Sequence, residues 1–217
     1  MDGNARWAKK KKINKKNGYK KGLNKIKEVV EICIEKKIRF LTLYALSSEN
    51  LKRPNVNIIF DIFSDNFNSF MNYISNKNEV KINFFGQKNN IPLYINKIIS
   101  AIESKTMKNN QLFLNVAFNY GSKDELIYCI NSLLKKNINN KIFINEKIIR
   151  NNLFLKNIPD PDILIRTGGF QRLSNFLLFQ LSYTELFFTK TLWPDLSKKE
   201  INSIFNKYSK IERKYGL

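Results

Sequence analysis

Apolar and polar positions follow two rhythms along this chain, and the rhythms take turns. Leu23, Ile26, Val30, Cys33 and Ile34 share one face at helical spacing, which predicts an amphipathic helix up to Ile38. The run IRFLTLYAL (38–46) is almost continuously apolar and β-branched, the pattern of a strand buried on both faces of a parallel sheet. Helical spacing returns over 56–74 through Ile59, Phe63, Phe67, Phe70 and Ile74. EVKINFFG (79–86) alternates as a strand that ends in glycine, and IPLYINKIISAIES (91–104) is a helix with Pro92 near its first turn. QLFLNVAFNYG (111–121) reads as a strand. SKDELIYCINSLL (122–134) opens with a serine cap and acids, then turns helical. DILIRTGG (162–169) is a short strand entering a Gly-Gly turn, and residues 196–214 read as a closing helix.

This alternation predicts an α/β fold, a single domain with a mainly parallel sheet flanked by helices. No internal repeat or linker interrupts it. In such folds ligands bind outside the carboxyl ends of the strands. Three post-strand loops therefore hold the candidate chemistry: SSENLKRP (47–54), GSKDE (121–125) and RTGGFQRLSNF (166–176). The first and third offer arginines, hydroxyls and amides, donors that suit phosphate oxygens. Each alone is as well explained by a turn with solvated charges. Several in one chain, each at a strand end, argue for a site.

Composition narrows the function. Of 217 residues, 43% are hydrophobic and 13% aromatic, enough to bury a core. The formal net charge of +20 calls for an anionic partner: nucleic acid, phosphate groups or a membrane surface. Much of the lysine is compositional, in tracts such as KKNINNKIFINEKIIRNN that A- and T-rich coding DNA produces; the arginines are fewer and say more. The absence of histidine excludes a Ser-His-Asp triad, imidazole metal ligands and histidine bases. Cys33 and Cys129 fall inside apolar helical patterns and read as reduced core residues of a cytosolic protein. The amino end carries no apolar signal segment, and no run of about 20 apolar residues is present to span a bilayer. The nearest, FLLFQLSYTELFF, is broken by Gln180, Ser182, Thr184 and Glu185.

MDGNARW at the amino end, LTLYALSSENLKRP, and LIRTGGFQRLSNFLLFQLSYTELFF closely resemble, in this order and at compatible spacing, the cis-prenyltransferases, the family of undecaprenyl diphosphate synthase. TLWPD and ERKYG are similar to the family's carboxyl end. The resemblance implies an enzyme that joins isopentenyl diphosphate to an allylic diphosphate, usually farnesyl diphosphate, with new cis double bonds. It implies Mg²⁺, a homodimer, a product held in an apolar tunnel, and a cytoplasmic protein that touches the membrane peripherally through its lipid product.

Roles carry over residue by residue. By resemblance, Asp2 positions Mg²⁺, which prefers one or two carboxylates together with phosphate oxygens. Gly3, Asn4, Ala5, Arg6 and Trp7 border the allylic diphosphate, with Arg6 as a clamp and Trp7 as a packing residue. Lys15 and Tyr19 stand where the family has an arginine and a histidine beside that diphosphate; lysine keeps the charge without the bidentate fork. Ala5 replaces a family glycine and Leu51 a family tryptophan. Ser47, Ser48, Glu49, Asn50 and Arg53 match the loop after the sheet strand. By resemblance Asn50 aligns with the proton acceptor; an amide is a poor base and is better suited to orienting substrate or relaying through water or a diphosphate oxygen. Arg166, Arg172, Leu173 and Ser174 match the grip on isopentenyl diphosphate, and Glu185 a second Mg²⁺ ligand that reaches across the dimer. Gln171 stands where many members have a metal-side histidine. The helix at 56–75, Ala45 and Leu112 align with tunnel-lining positions, although ordinary core packing explains them equally.

By resemblance, family members carry an apolar strand just before this aspartate, so the expectation is a cis-prenyltransferase domain over 1–217 without the family's first strand, with either a start upstream of Met1, the favoured reading, or a natural truncation. Two rival functions remain at this level. A catalytically idle prenyltransferase subunit would lack the opening aspartate and the arginine pair, which this chain keeps, though Lys214 replaces an arginine of the closing motif. A basic nucleic-acid-binding protein would need a basic stripe with exposed aromatics, whereas most aromatics here fall on core-like faces. The reading therefore predicts no nucleic-acid partner.

Overall fold

Parallel strand pairing occurs in two separate places. The computed structural model describes residues 1–54, 56–75, 79–136 and 143–213. In chain order the elements are α1 (Asn4–Lys10), α2 (Lys15–Glu35), β1 (Phe40–Ser47), α3 (Ser48–Leu51), α4 (Val56–Asp65), α5 (Phe67–Ser75), β2 (Val80–Phe85), α6 (Leu93–Thr106), β3 (Leu112–Tyr120), α7 (Ser122–Lys136), α8 (Glu146–Arg150), β4 (Ile163–Arg166), β5 (Glu185–Phe188) and α9 (Lys198–Tyr208), with a 3-10 turn at Trp193–Asp195 before α9. One sheet has the order β1-β3-β2 and the other pairs β4 with β5, all parallel. The α/β class with parallel sheet and flanking helices is as the alternating pattern predicts.

The central strand β3 is buried along nearly its whole length, its mostly apolar side chains joined by the buried Asn115 and Asn119. Val29, Val30 and Cys33 of α2 pack on Leu43 of β1 and Leu112, Leu114 and Val116 of β3. Trp193, Leu196 and Ile201 join the same core from the far end of the chain. On the other side, Phe60 of α4 and Ile95 and Ile99 of α6 pack on Leu46 and Phe118. Cys33 and Cys129 are buried and unbridged, as their helical patterns imply. Burial raises the Cys33 thiol to about 12, so it is a packing group and not a nucleophile.

Several boundaries differ from the pattern. The helix expected over 56–74 is broken at Asn66, whose side-chain amide donates to the Ile62 carbonyl at 2.8 Å in competition with the backbone. The second helix begins at Lys15, because Asn14 caps it by accepting from Lys16 N at 2.8 Å. The closing helix stops at Tyr208. The apolar run near 180 holds a strand, β5, that its polar interruptions conceal. The side chain of Ile74, and Lys214 in the closing motif, lie outside the described residues.

No strand among the described residues pairs across the space between the two sheets. The free edges of β1 and β4 instead flank one cleft of about 1420 Å³, lined by Phe40 to Ala45 on one side and Ile163 to Arg166 on the other. Both strands deliver their carboxyl ends, Ser47 and Arg166, to the same mouth of this cleft.

Candidate active site

The amino-terminal segment reaches the cleft mouth because its backbone is pinned there. The Thr167 hydroxyl accepts from Asp2 N and donates to Asp2 O, each at 3.0 Å, and Trp193 N donates to the same carbonyl at 3.0 Å. The short helix α1 then lies on α2, which offers glycines at the crossing: a Cβ on Gly18 would stand 2.5 Å from the Asn4 carbonyl oxygen. Only a residue without a side chain allows that approach.

Asp2 projects a carboxylate into a set of arginines. It lies 3.1 Å from Arg6 Nη2 and 3.3 Å from Arg166 Nη2. Arg6 Nη1 also donates to the Gly168 carbonyl at 2.6 Å. Gly168 has φ +89°, and a Cβ there would come within 2.5 Å of the Arg6 guanidinium, so the Gly-Gly turn is what lets Arg6 in. Arg166 donates to Ser174 Oγ at 2.8 Å and to the Arg172 carbonyl, which folds the loop after β4 back on itself. Two guanidinium groups thus share one carboxylate. Lys15 and Arg53 line the same cleft. The surplus of positive charge suits a polyanion, and arginine forks suit phosphoryl oxygens.

The loop after β1 is braced rather than loose. Ser47 Oγ accepts from Asn50 N at 3.1 Å and caps α3. Ser48 Oγ donates to Asp124 at 2.6 Å. Asn175 donates its amide to Glu49 at 2.9 Å, joining this loop to the one after β4. Burial raises the Glu49 carboxyl, but hydrogen bonds from Asn175, the backbone and Ser47 more than offset that and hold it below the ordinary range. Tyr44 lines the cleft, stacks on Phe176 at 4.5 Å and donates to the Tyr120 carbonyl at 3.0 Å. Its phenol is pushed up by desolvation and by Glu49, so it stays protonated.

The predicted residues divide plainly. Asp2, Gly3, Asn4, Ala5, Arg6, Lys15, Tyr19, Ser47, Glu49, Asn50, Arg53, Arg166, Arg172, Leu173 and Ser174 all line the cleft. Trp7 does not; its indole N–H donates to Asp195 at 2.7 Å. Ser48 is occupied by Asp124, and Leu51 packs with Leu46, Phe60 and Phe118. Glu185 opens β5, three positions before Phe188, the partner of Arg166, and does not line the cleft. At about 3.3 Å per residue that is roughly 10 Å down the strand, so within one chain it does not meet Asp2. Ala45, Val56, Ile58 and Ile59 line the cleft, whereas Leu112 is core. The GSKDE loop proves to be a brace: Glu125 accepts from the Tyr120 hydroxyl at 2.6 Å and from Phe154 N at 2.8 Å. Sequence reasoning missed Thr167, Phe170 and Asn175, although all three sit inside the quoted motif.

No cluster of three carboxylate or thiol ligands exists among the described residues. Asp2, whose side chain is 36% exposed, is a carboxylate open to a cation at the cleft mouth.

Residues 1–216 match the family described as "Putative undecaprenyl diphosphate synthase". The chain belongs to that family. Among curated relatives, an isoprenyl transferase of Fusobacterium nucleatum is 38% identical over the whole of this chain and 93% of its own. The ditrans,polycis-undecaprenyl-diphosphate synthase ((2E,6E)-farnesyl-diphosphate specific) of Legionella pneumophila is 35% identical over the whole chain and 92% of its own. Two solved structures share the fold. One is a probable undecaprenyl diphosphate synthase from Campylobacter jejuni, with TM-score 0.81, 32% identity and coverage of 91% and 92% of the two chains. The other is lavandulyl diphosphate synthase from Lavandula x intermedia in complex with dimethylallyl diphosphate, with TM-score 0.92, 28% identity and coverage of 100% and 95%. Membership in the undecaprenyl diphosphate synthase family makes the protein a transferase of prenyl groups, and the cleft is the place to look for its chemistry.

Proposed function

We propose that the protein condenses isopentenyl diphosphate with an allylic diphosphate, farnesyl diphosphate in the first instance, to give a cis-polyprenyl diphosphate of the undecaprenyl class. The observation that carries this reading is the convergence of Asp2, Arg6 and Arg166 at the polar mouth of an otherwise largely apolar cleft. A diphosphate head and a hydrocarbon tail need that combination. The farnesyl-specific name of the Legionella pneumophila relative supports the choice of primer.

Residues 3–6, Lys15 and Arg53 hold the allylic diphosphate; Arg166, Arg172 and Ser174 hold isopentenyl diphosphate. The alkene of isopentenyl diphosphate attacks the allylic carbon, the carbon–oxygen bond to diphosphate breaks with its electron pair, and the proton lost from the carbon skeleton passes to a diphosphate oxygen. Positioning and charge neutralisation are the protein's contribution. Asn50 orients the attacking substrate. One carboxylate beside incoming phosphate oxygens is a donor set that Mg²⁺ accepts, so Asp2 is the residue to hold it. When bound, Mg²⁺ neutralises the departing diphosphate.

The exposed apolar face of α7, with Ile127, Tyr128, Ile130 and Leu134, supports a homodimer. A second copy is also the route by which Glu185 would reach a metal. We read residues 1–217 as one domain. No helix among the described residues is long and apolar enough to cross a membrane; contact with a bilayer would come through the lipid product.

The test is incubation with farnesyl diphosphate, labelled isopentenyl diphosphate and Mg²⁺, followed by chromatography of the lipid. Labelled long-chain product that disappears with EDTA supports the reading. No incorporation with any allylic diphosphate in the presence of Mg²⁺ overturns it, and leaves the idle-subunit alternative.

A further inference from the structure

Phe170 stands where packing does not account for it. Its ring is 40% exposed and joins none of the hydrophobic clusters of the described residues. Yet three guanidinium carbons surround it, those of Arg172 at 4.2 Å, Arg6 at 4.8 Å and Arg166 at 5.9 Å from the ring centroid. These distances fall within the range of cation–π attraction. The loop that carries the ring is fixed on both sides of the Gly-Gly turn, by Gly168 N donating to the Thr191 carbonyl and Gly169 N to the Thr189 carbonyl, both at 2.8 Å.

The three arginines differ in what else holds them. Arg6 and Arg166 share the Asp2 carboxylate and donate to Gly168 and Ser174. The Arg172 guanidinium makes no hydrogen bond or ion pair among the described residues, and the Phe170 ring is what it rests on. A phenyl ring has no acceptor atoms. It attracts a guanidinium through its quadrupole while leaving the N–H donors unspent. The contact therefore orders a long, entropy-rich side chain and keeps all its donors available to an anion.

We propose that Phe170 is a positioning residue that presents Arg172 to the diphosphate of isopentenyl diphosphate. This rests on the substrate assignment made above. Its effect is on diphosphate affinity and not on bond making, because it touches the arginines and not the reacting carbons.

The test uses the full chain with Mg²⁺ and two readouts: steady-state kinetics in isopentenyl diphosphate, and calorimetric binding of inorganic pyrophosphate. Phe170→Leu keeps bulk and removes the quadrupole. It is expected to raise both the KM for isopentenyl diphosphate and the Kd for pyrophosphate about fivefold, with kcat within twofold. Phe170→Tyr, which retains the ring, is expected to behave as the parent. Arg172→Ala separates the two layers of the inference. If Arg172→Ala weakens pyrophosphate and Phe170→Leu does not, the positioning role is wrong while the substrate assignment stands. If Arg172→Ala changes neither constant, the assignment of this subsite fails and the role of Phe170 falls with it. A Phe170→Leu protein that loses kcat and melting temperature at unchanged KM assigns the ring to structure and overturns the proposal.

Discussion

The carboxylate of Asp2 lies 3.3 Å from the guanidinium of Arg166, a residue 164 positions later in the chain. Two stretches that a sequence shows at opposite ends thus form one electrostatic unit at the mouth of the cleft. Their separation explains why neither is informative alone. An aspartate next to a chain end is ordinarily a solvated charge, and an arginine after a short strand is ordinarily a surface cation. Together with Arg6 they make a site that has a carboxylate for a cation and forks for phosphate.

Removing the Asp2 charge tests this unit directly. Asp2→Asn preserves the backbone bonds to Thr167 and Trp193 and leaves two arginines without their counter-charge. Turnover is expected to fall by about 100-fold or more, the scale of losing a preorganised electrostatic stabiliser, with little change in melting temperature. Incorporation of labelled isopentenyl diphosphate reports it; near-normal turnover would refute the role assigned to Asp2.

The glycine at the α1–α2 crossing couples packing to chemistry. Gly18→Ala places a methyl group 2.5 Å from the Asn4 carbonyl oxygen, so α1 must move off α2 and carry Asp2 and Arg6 with it. Overpacking of this kind costs about 1–3 kcal/mol. Both melting temperature and kcat/KM are expected to drop, although Gly18 is remote from the reacting atoms. A variant with a lower melting temperature and parental kinetics would show that α1 does not set the site.

Glu125 offers a test of the brace behind the cleft. It is 1% exposed and serves the Tyr120 hydroxyl and the Phe154 amide. Glu125→Ala leaves both donors buried and unpaired, at a cost of about 2–4 kcal/mol, or roughly 5–15 °C in melting temperature for a chain of this size. Glu125→Gln keeps one acceptor oxygen and is expected to lose less. Thermal denaturation followed by circular dichroism decides between them.

Acid sensitivity should bear the mark of Glu49. Its folded-state pKa is lower than in the unfolded chain, so its contribution is complete above the unfolded value near 4.5 and is lost as pH falls through the folded value. The group is solvent-exposed and screened, and the effect is correspondingly small. Glu49→Gln is expected to melt slightly below the parent at pH 7 and alongside it at pH 3. A constant difference between the two proteins across that range would contradict the assignment.

How far the chain could be read in advance follows from the physics of each part. β1 and β3 were legible because long apolar, β-branched and aromatic runs favour strands, and α2, α6 and α7 because one-sided burial writes a helical period. The loops after β1 and β4 were recognisable by their donors. Hidden were features that depend on partners distant in sequence. β5 follows the polar Ser182 and Thr184, opens on Glu185, and is a strand only because β4 pairs with it. The break at Asn66 arises from one side-chain amide. Thr167 reads as a spacer until the Asp2 backbone arrives on both sides of its hydroxyl. The separation of the strands into two sheets is a matter of register and edges, which hydrophobic pattern does not encode.

The amino-terminal segment has a mechanical role alongside its chemical one. Through Thr167 and Trp193 it fastens the β4–β5 half to the core that α2 shares with β1 and β3. An anion drawn in by Arg6 and Arg166 would tighten that fastening, so ligand affinity and the cohesion of the two halves rise together. Proteolysis between the halves would then be slowest in saturating diphosphate, and the same few residues would govern both catalysis and the lifetime of the protein.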